Sequence, residues 1–180
     1  SGRGYVQDVM AAMEEIGAGR VASVCGRYWA MDRDKRWDRV SRAWNMLVEG
    51  EVDDKGIRAD DPVAAIGASY AAGTTDEFVE PTIITGPGGG PTATIGDGDS
   101  VFFWNFRADR ARELTWAFMQ DDFDGFPRKT RPAVNYLCMT PYDQAMDLPV
   151  LFTPEMPRNG LAEVFAARGI RNLRTAETEK

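Results

Sequence analysis

SVFFWNFRADRARELTWAF, residues 100–118, runs from a strand into a helix without a break. SVFFWNF (100–106) is almost wholly apolar and aromatic, the composition of a strand buried in a core. Ala111, Leu114 and Phe118 then recur at helical spacing. Downstream, VNYLCMT (134–140) reads as another strand. Working back from residue 100, TGPGGGPTATIGDGD (85–99) is a Gly/Pro-rich loop. FVEPTII (78–84) before it is β-like, with Pro81 favouring an edge or irregular strand.

The amino-terminal half alternates in the same way. Val6, Val9, Met10, Met13 and Ile16 fall at helical spacing, and Gly17 stops the run. RVASVC (20–25) is a short β-like run ended by Gly26, and Arg27 to Lys35 reads as a loop. Trp37, Val40, Trp44, Leu47 and Val48 share one face of a second helix that closes at Gly50. Residues 51–60 are charged and expected to be mobile. Asp61-Pro62 forms an N-cap and first-turn pair for a third helix carrying Val63, Ile66 and Tyr70. Near the end, Asn159 is the predicted cap of a helix with Leu161, Val164 and Phe165, stopped at Gly169, and NLRTAET (172–178) is a last strand. Strands alternating with helices predict an α/β fold with a largely parallel sheet and flanking helices.

Composition narrows the function. With 180 residues, the chain has room for one domain. Hydrophobic residues at 43% and charged residues at 27% exclude a chain disordered throughout. No apolar run reaches roughly 18 residues, so no transmembrane helix is expected, and no secretory signal opens the chain. A net charge of −7 argues against a general nucleic-acid or anionic-membrane binder. There is no histidine, which removes Ser-His triads, HExxH zinc sites and imidazole acid–base chemistry. Cys25 and Cys138 form no CxxC unit, and a reducing, cytoplasmic setting fits them. The chain opens on Ser1 and ends on Lys180 directly after a predicted strand, which reads as a segment of a longer protein.

Several motifs carry little chemistry. GPGGGP (86–91) lacks the GK[ST] ending of a phosphate loop. Asp97-Gly98-Asp99 lacks the spacing of a calcium loop. Asp53-Asp54, Asp60-Asp61 and Asp121-Asp122 serve as caps or solvated turns. Cys25, without a His partner, is a small buried hydrophobe.

Arginine usage is uneven: 17 Arg stand against 4 Lys. Arg grips carboxylates and phosphates with a planar fork, where Lys offers a point charge. Two clusters stand out. In GRYWAMDRDKRW (26–37), Arg27 and Arg33 flank a strand-to-helix loop, with Lys35 and Arg36 close by. In FRADRAR (106–112), Arg107 and Arg110 leave the end of a strand three residues apart, and a helix starting there would put them on one face. Open α/β sheets bind ligands at the carboxyl ends of strands. The two pairs could converge on one cleft and hold a small phosphate ester. On spacing alone, an ion-pair network with Asp32, Asp34, Asp38 and Asp109 fits equally well.

CGRYWAMDRDKRWDR (25–39) resembles a signature of the cofactor-independent (2,3-bisphosphoglycerate-independent) phosphoglycerate mutases. TDEFVEPT (75–82), DGDSVFFWNFRADRARELT (97–115), CMTPYD (138–143) and LRTAETEK (173–180) resemble the same family in the same order. Cys25 and Trp29 depart mildly from the usual Ser and Tyr. The resemblance implies that residues 1–180 are a segment of the substrate-binding transferase domain of a two-domain enzyme, incomplete here. It implies substrate contacts for Arg27, Arg33, Arg107 and Arg110, and a substrate- and phosphate-contacting role for Lys180. It places the nucleophilic serine and two manganese ions on a phosphatase-like domain absent from this chain, so no catalytic or metal residue is expected here.

For the intact protein the resemblance implies interconversion of 3-phosphoglycerate and 2-phosphoglycerate in glycolysis and gluconeogenesis. No 2,3-bisphosphoglycerate is required, and a cytoplasmic monomer is expected. The segment alone is expected to be inactive. A non-catalytic module binding a phosphorylated metabolite is the alternative. It would need no phosphatase domain in the same reading frame. An Arg-rich RNA binder conflicts with the charge of −7.

Overall fold

The computed structural model describes residues 1–153 and 158–175. Helices alternate with short strands, as the sequence predicts, and the fold is α/β. The strands fall into two small sheets. One has three strands: β1 (Ser23–Val24), β3 (Thr82–Ile84) in the centre and β2 (Ile57–Ala59). β2 runs parallel to β3 and β1 antiparallel to it. The other is a parallel pair, β4 (Ser100–Phe103) and β5 (Asn135–Cys138), with Phe103 opposite Cys138.

Among the described residues six α-helices accompany them: α1 (Gly2–Ile16), α2 (Arg27–Ala30), α3 (Trp37–Trp44), α4 (Pro62–Ala71), α5 (Arg112–Met119) and α6 (Leu161–Ala167). α3 runs on into a π-helical turn, Asn45–Glu49, which Gly50 ends in the left-handed conformation. Asp61 caps α4 as expected, accepting from Val63 N at 2.7 Å and Ala64 N at 2.9 Å. Among the described residues no helix is long and apolar enough to cross a membrane.

The core lies between α3, α5 and β5. Val40, Ala43 and Trp44 form the inner face of α3, and Leu114, Ala117 and Phe118 that of α5. The Trp44 and Phe118 rings meet at 4.7 Å between centroids. Burial of a side chain such as Phe118 contributes about 1.5–3 kcal/mol. Tyr136 and Cys138 of β5 close the core from the sheet side.

The strand at 100–106 differs from its expected burial. It alternates: Val101 and Phe103 pack on the core, while Phe102, Trp104 and Phe106 face outward, Trp104 with 73% of its surface exposed. A strand presents every second side chain to each face, and α5 covers one face only. Segment 51–60 also departs from expectation, because β2 forms within it, too short to show a pattern. Nor is β3 an edge strand. Pro81, which has no N–H, sits just before the paired run, and its carbonyl accepts from Ile57 N at 3.0 Å. At the carboxyl end, Gly160 rather than Asn159 is the α6 N-cap. Residues 172–175 form no strand, and the rest of the predicted strand lies outside the described residues.

Candidate functional site

Two loops distant in sequence are stitched together where the arginine clusters lie. The first follows α2 and carries Met31 to Arg36. Buried Asp32 folds it, with Oδ2 accepting from both Asp34 N and Arg36 N at 2.9 Å. Lys35 takes a left-handed backbone, φ 56°, to complete the turn. The second runs from the end of β4 to the start of α5. Between them, Arg33 Nη1 donates to Asp109 Oδ2 at 3.2 Å. Arg110 Nη1 donates to the Met31 carbonyl at 2.9 Å. Lys35 N donates to Glu113 Oε1 at 2.7 Å.

α3 holds the first loop from below. Arg39 pairs with Asp32 Oδ1 at 3.3 Å and its guanidinium stacks over Tyr28, 3.8 Å from the ring centroid. Arg42 stacks over Trp29 at 4.1 Å. Tryptophan offers the strongest face for such contacts, so Trp29 suits this position.

Arg27 opens α2, in a stretch the sequence reads as loop. Its guanidinium pairs with Glu77 Oε2 at 2.8 Å, with both side chains partly exposed. Gly26 makes that contact reachable: a Cβ there would lie 2.1 Å from the Glu77 carbonyl oxygen, and Gly26 N donates to Val79 O at 2.7 Å. Only a residue without a side chain admits the 76–79 segment this close.

Arg107 and Arg110 do not share a helix face. α5 begins at Arg112, so both lie in the loop ahead of it. The Arg107 carbonyl accepts from Asn105 Nδ2 at 2.6 Å, and its exposed side chain makes no hydrogen bond or ion pair among the described residues. The structure therefore links the loops of Arg33 and Arg110. Arg27 lies one helical turn ahead of Met31, and Arg107 three residues ahead of Arg110. Lys180 lies outside the described residues. Of the expected ion-pair network, Arg33–Asp109 and Arg39–Asp32 are present.

The electrostatics centre on two buried carboxyls the sequence reading did not assign to the site. Asp32 is 4% exposed and Glu113 3%. Burial pushes Glu113 up, Lys35 N–H opposes, and the charges of Asp32 and Asp34 raise it further, to about 7. For Asp32, burial is outweighed by the N–H groups of Arg36 and Asp34, a hydrogen bond from Glu113 and the Arg39 charge, so it falls below its ordinary value. Asp109 is similarly lowered: burial raises it, but Arg33 and the Arg110 N–H outweigh that. Half-buried Cys25 is pushed up to about 12 and Cys138 to about 11 by burial, so both thiols stay protonated near neutrality.

Glu113 carried one sequence signal. It sits beside Leu114 in a helix whose inner face also includes Ala117 and Phe118.

Residues 1–144 match the family described as BPG-independent PGAM N-terminus. The chain belongs to that family. It is 50% identical over 175 residues to 2,3-bisphosphoglycerate-independent phosphoglycerate mutase 2 of Methanosarcina acetivorans, covering 97% of this chain and 33% of the relative. It is 51% identical over 181 residues to the 2,3-bisphosphoglycerate-independent phosphoglycerate mutase of Nitratidesulfovibrio vulgaris, covering 100% and 34%. A crystal structure of Leishmania mexicana phosphoglycerate mutase superposes with a TM-score of 0.80 at 30% identity, covering 94% of this chain and 32% of that one. The chain thus spans about a third of the length of the relatives it matches.

Proposed function

We propose that this chain supplies the substrate-gripping surface of a phosphoglycerate mutase, an isomerase that interconverts 3-phosphoglycerate and 2-phosphoglycerate without 2,3-bisphosphoglycerate. Residues 1–180 would be a segment of the transferase domain. Its partner is a phosphatase-like domain of the same protein, and the whole is a cytoplasmic monomer. What supports the reading, beyond family membership, is one observation: Arg33 and Arg110 sit on loops tied to each other by Arg33–Asp109 and Arg110–Met31 O.

The chemistry suits the substrate. A phosphoglycerate carries a carboxylate and a phosphate, roughly −2.5 to −3 charges at neutral pH. Arg33 and Arg110, with Arg27 and Arg107 flanking, would bind these groups through charge-assisted forks. Held this way, glycerate stays oriented while the phosphoryl group leaves to a serine of the other domain and returns to the neighbouring hydroxyl. Lys180 would stabilise charge on the transferring group.

Manganese finds no site among the described residues. The chain has no histidine, and the described residues include no group of three or more His, Cys, Asp or Glu able to hold a metal ion. In this reading the two manganese ions belong to the other domain.

A coupled assay of the full-length protein with 3-phosphoglycerate, alongside Arg33→Lys and Arg110→Lys, tests the reading. Turnover that drops in both variants is expected. Phosphoglycerate binding without turnover would favour the non-catalytic module, and wild-type turnover in both variants would remove the arginines from the site.

A further inference from the structure

Glu113 Oε2 is buried and faces no donor among the described residues. Its neighbour is Asp32, itself a buried acceptor. Two carboxylates so placed repel each other. A single proton resolves both problems: neutral Glu113 donates to Asp32 through the orphaned oxygen and still accepts from Lys35 N through Oε1. The pair spans the two arginine loops. Asp32 folds the loop of Arg33, and Glu113, in the first turn of α5, lies three residues after Arg110.

We propose that the Asp32–Glu113 pair is a one-proton lock holding the Arg33 loop against the Arg110 loop, so that its protonation sets the affinity for phosphoglycerate. The proposal rests on the functional reading above, and both are positioning residues rather than catalytic ones. Among the described residues the charges that act on the pair are Asp34 of the first loop, which raises Glu113, and Arg39 of α3, which favours ionised Asp32. Of the other charged groups nearby in sequence, Arg33 and Asp109 pair with each other and Arg110 donates to Met31 O. Lys35 extends its Nζ to 5.8 Å from the Trp116 ring centroid, so its charge does not replace the missing proton. As pH rises through about 7 the lock loses its proton. The carboxylates then push apart, and the turn carrying Arg33 loosens.

The test uses the full-length protein and three variants, with KM and kcat for 3-phosphoglycerate measured from about pH 6 to pH 8.5. Wild-type KM is expected to rise about tenfold across this range, within the usual span of site-to-site coupling, with kcat moving less. Glu113→Gln keeps an acceptor for Lys35 N and a permanent donor for Asp32. Its KM should stay at the wild-type low-pH value, apart from the substrate's own titration, which is common to both proteins. Glu113→Ala should show a raised KM at every pH. Amide exchange at residues 34–36, corrected for intrinsic pH dependence, should accelerate above neutrality in wild type and not in Glu113→Gln. A Glu113→Gln profile that tracks wild type overturns the lock, as does altered exchange with unchanged KM. Arg33→Lys with wild-type KM would instead overturn the site reading, and the lock's functional role with it.

Discussion

Arg33 and Asp109 stand 76 residues apart in sequence and 3.2 Å apart in space. The pair is partly exposed, so its direct contribution to stability is about 0–1 kcal/mol. Its weight lies in geometry, because it joins the two loops that bear the arginine clusters.

Arg110→Lys in the full-length enzyme keeps the charge and loses the planar fork. A charge-assisted bond worth roughly 1.5–3 kcal/mol is weakened, which lowers kcat/KM by roughly ten- to a hundred-and-fifty-fold. The melting temperature should move little, since Arg110 gives the fold one hydrogen bond, to Met31 O. Near-normal efficiency would remove Arg110 from the site, and a large melting drop would recast it as structural.

Glu113 makes stability depend on pH with a defined sign. Its folded value, about 7, lies above the ordinary 4.5, so the folded state binds a proton the unfolded state releases. That stabilisation is complete below about 4.5 and is lost as pH climbs to about 7. Asp32 acts oppositely at the acid end, its contribution vanishing as pH falls through its lowered value. Glu113→Gln should match wild type near pH 5 and exceed it by on the order of 3 kcal/mol near pH 8. Parallel melting curves at both pH values check this, and equal stability at pH 8 would show that Glu113 ionises without cost.

Gly26→Ala should destabilise the protein by about 1–3 kcal/mol, the usual cost of overpacking. The new methyl meets the Glu77 backbone carbonyl rather than a flexible side chain, so the 76–79 segment must retreat and take Glu77 from Arg27. Denaturant unfolding and KM should change together. An unaltered midpoint would mean that the close approach can relax freely.

The purified 180-residue chain should show no mutase activity with or without added manganese. It contains no histidine, and the serine nucleophile is assigned to the other domain. A coupled assay with 3-phosphoglycerate, read against a contamination control, decides the matter, and turnover above that control would contradict the division of labour.

The elements easiest to read from sequence were those set by local chemistry. Asp61-Pro62 announced α4 because a cap and a first-turn proline act within three residues. Val40 and Trp44 marked the inner face of α3 by spacing alone. The arginine pairs were visible as clusters for the same reason. Glu113 was not assigned to the site despite its place four residues before Ala117, because an acid in a helix's first turn ordinarily faces solvent and complements the helix dipole. Its buried carboxyl is met by Lys35 N, 78 positions away. The outward face of β4 was missed likewise: an unbroken run of Phe and Trp signals burial on both sides, and which face a neighbouring layer covers is a tertiary fact. Spacing singled out Arg107 and Arg110 and the family resemblance gave them a role, but only the fold shows that they precede α5.

The stitches between the two loops span 76, 78 and 79 residues. Contacts of such separation form after the entropy of a long loop has been overcome, and folding slows as the share of such distant contacts rises. α3 and α5 can each gain helical structure early while the loops beside them remain unjoined. Capture of an anion by the arginines should therefore emerge only in the last kinetic phase of refolding, behind the recovery of helical signal. A refolding intermediate would look largely native to circular dichroism and be blind to phosphoglycerate.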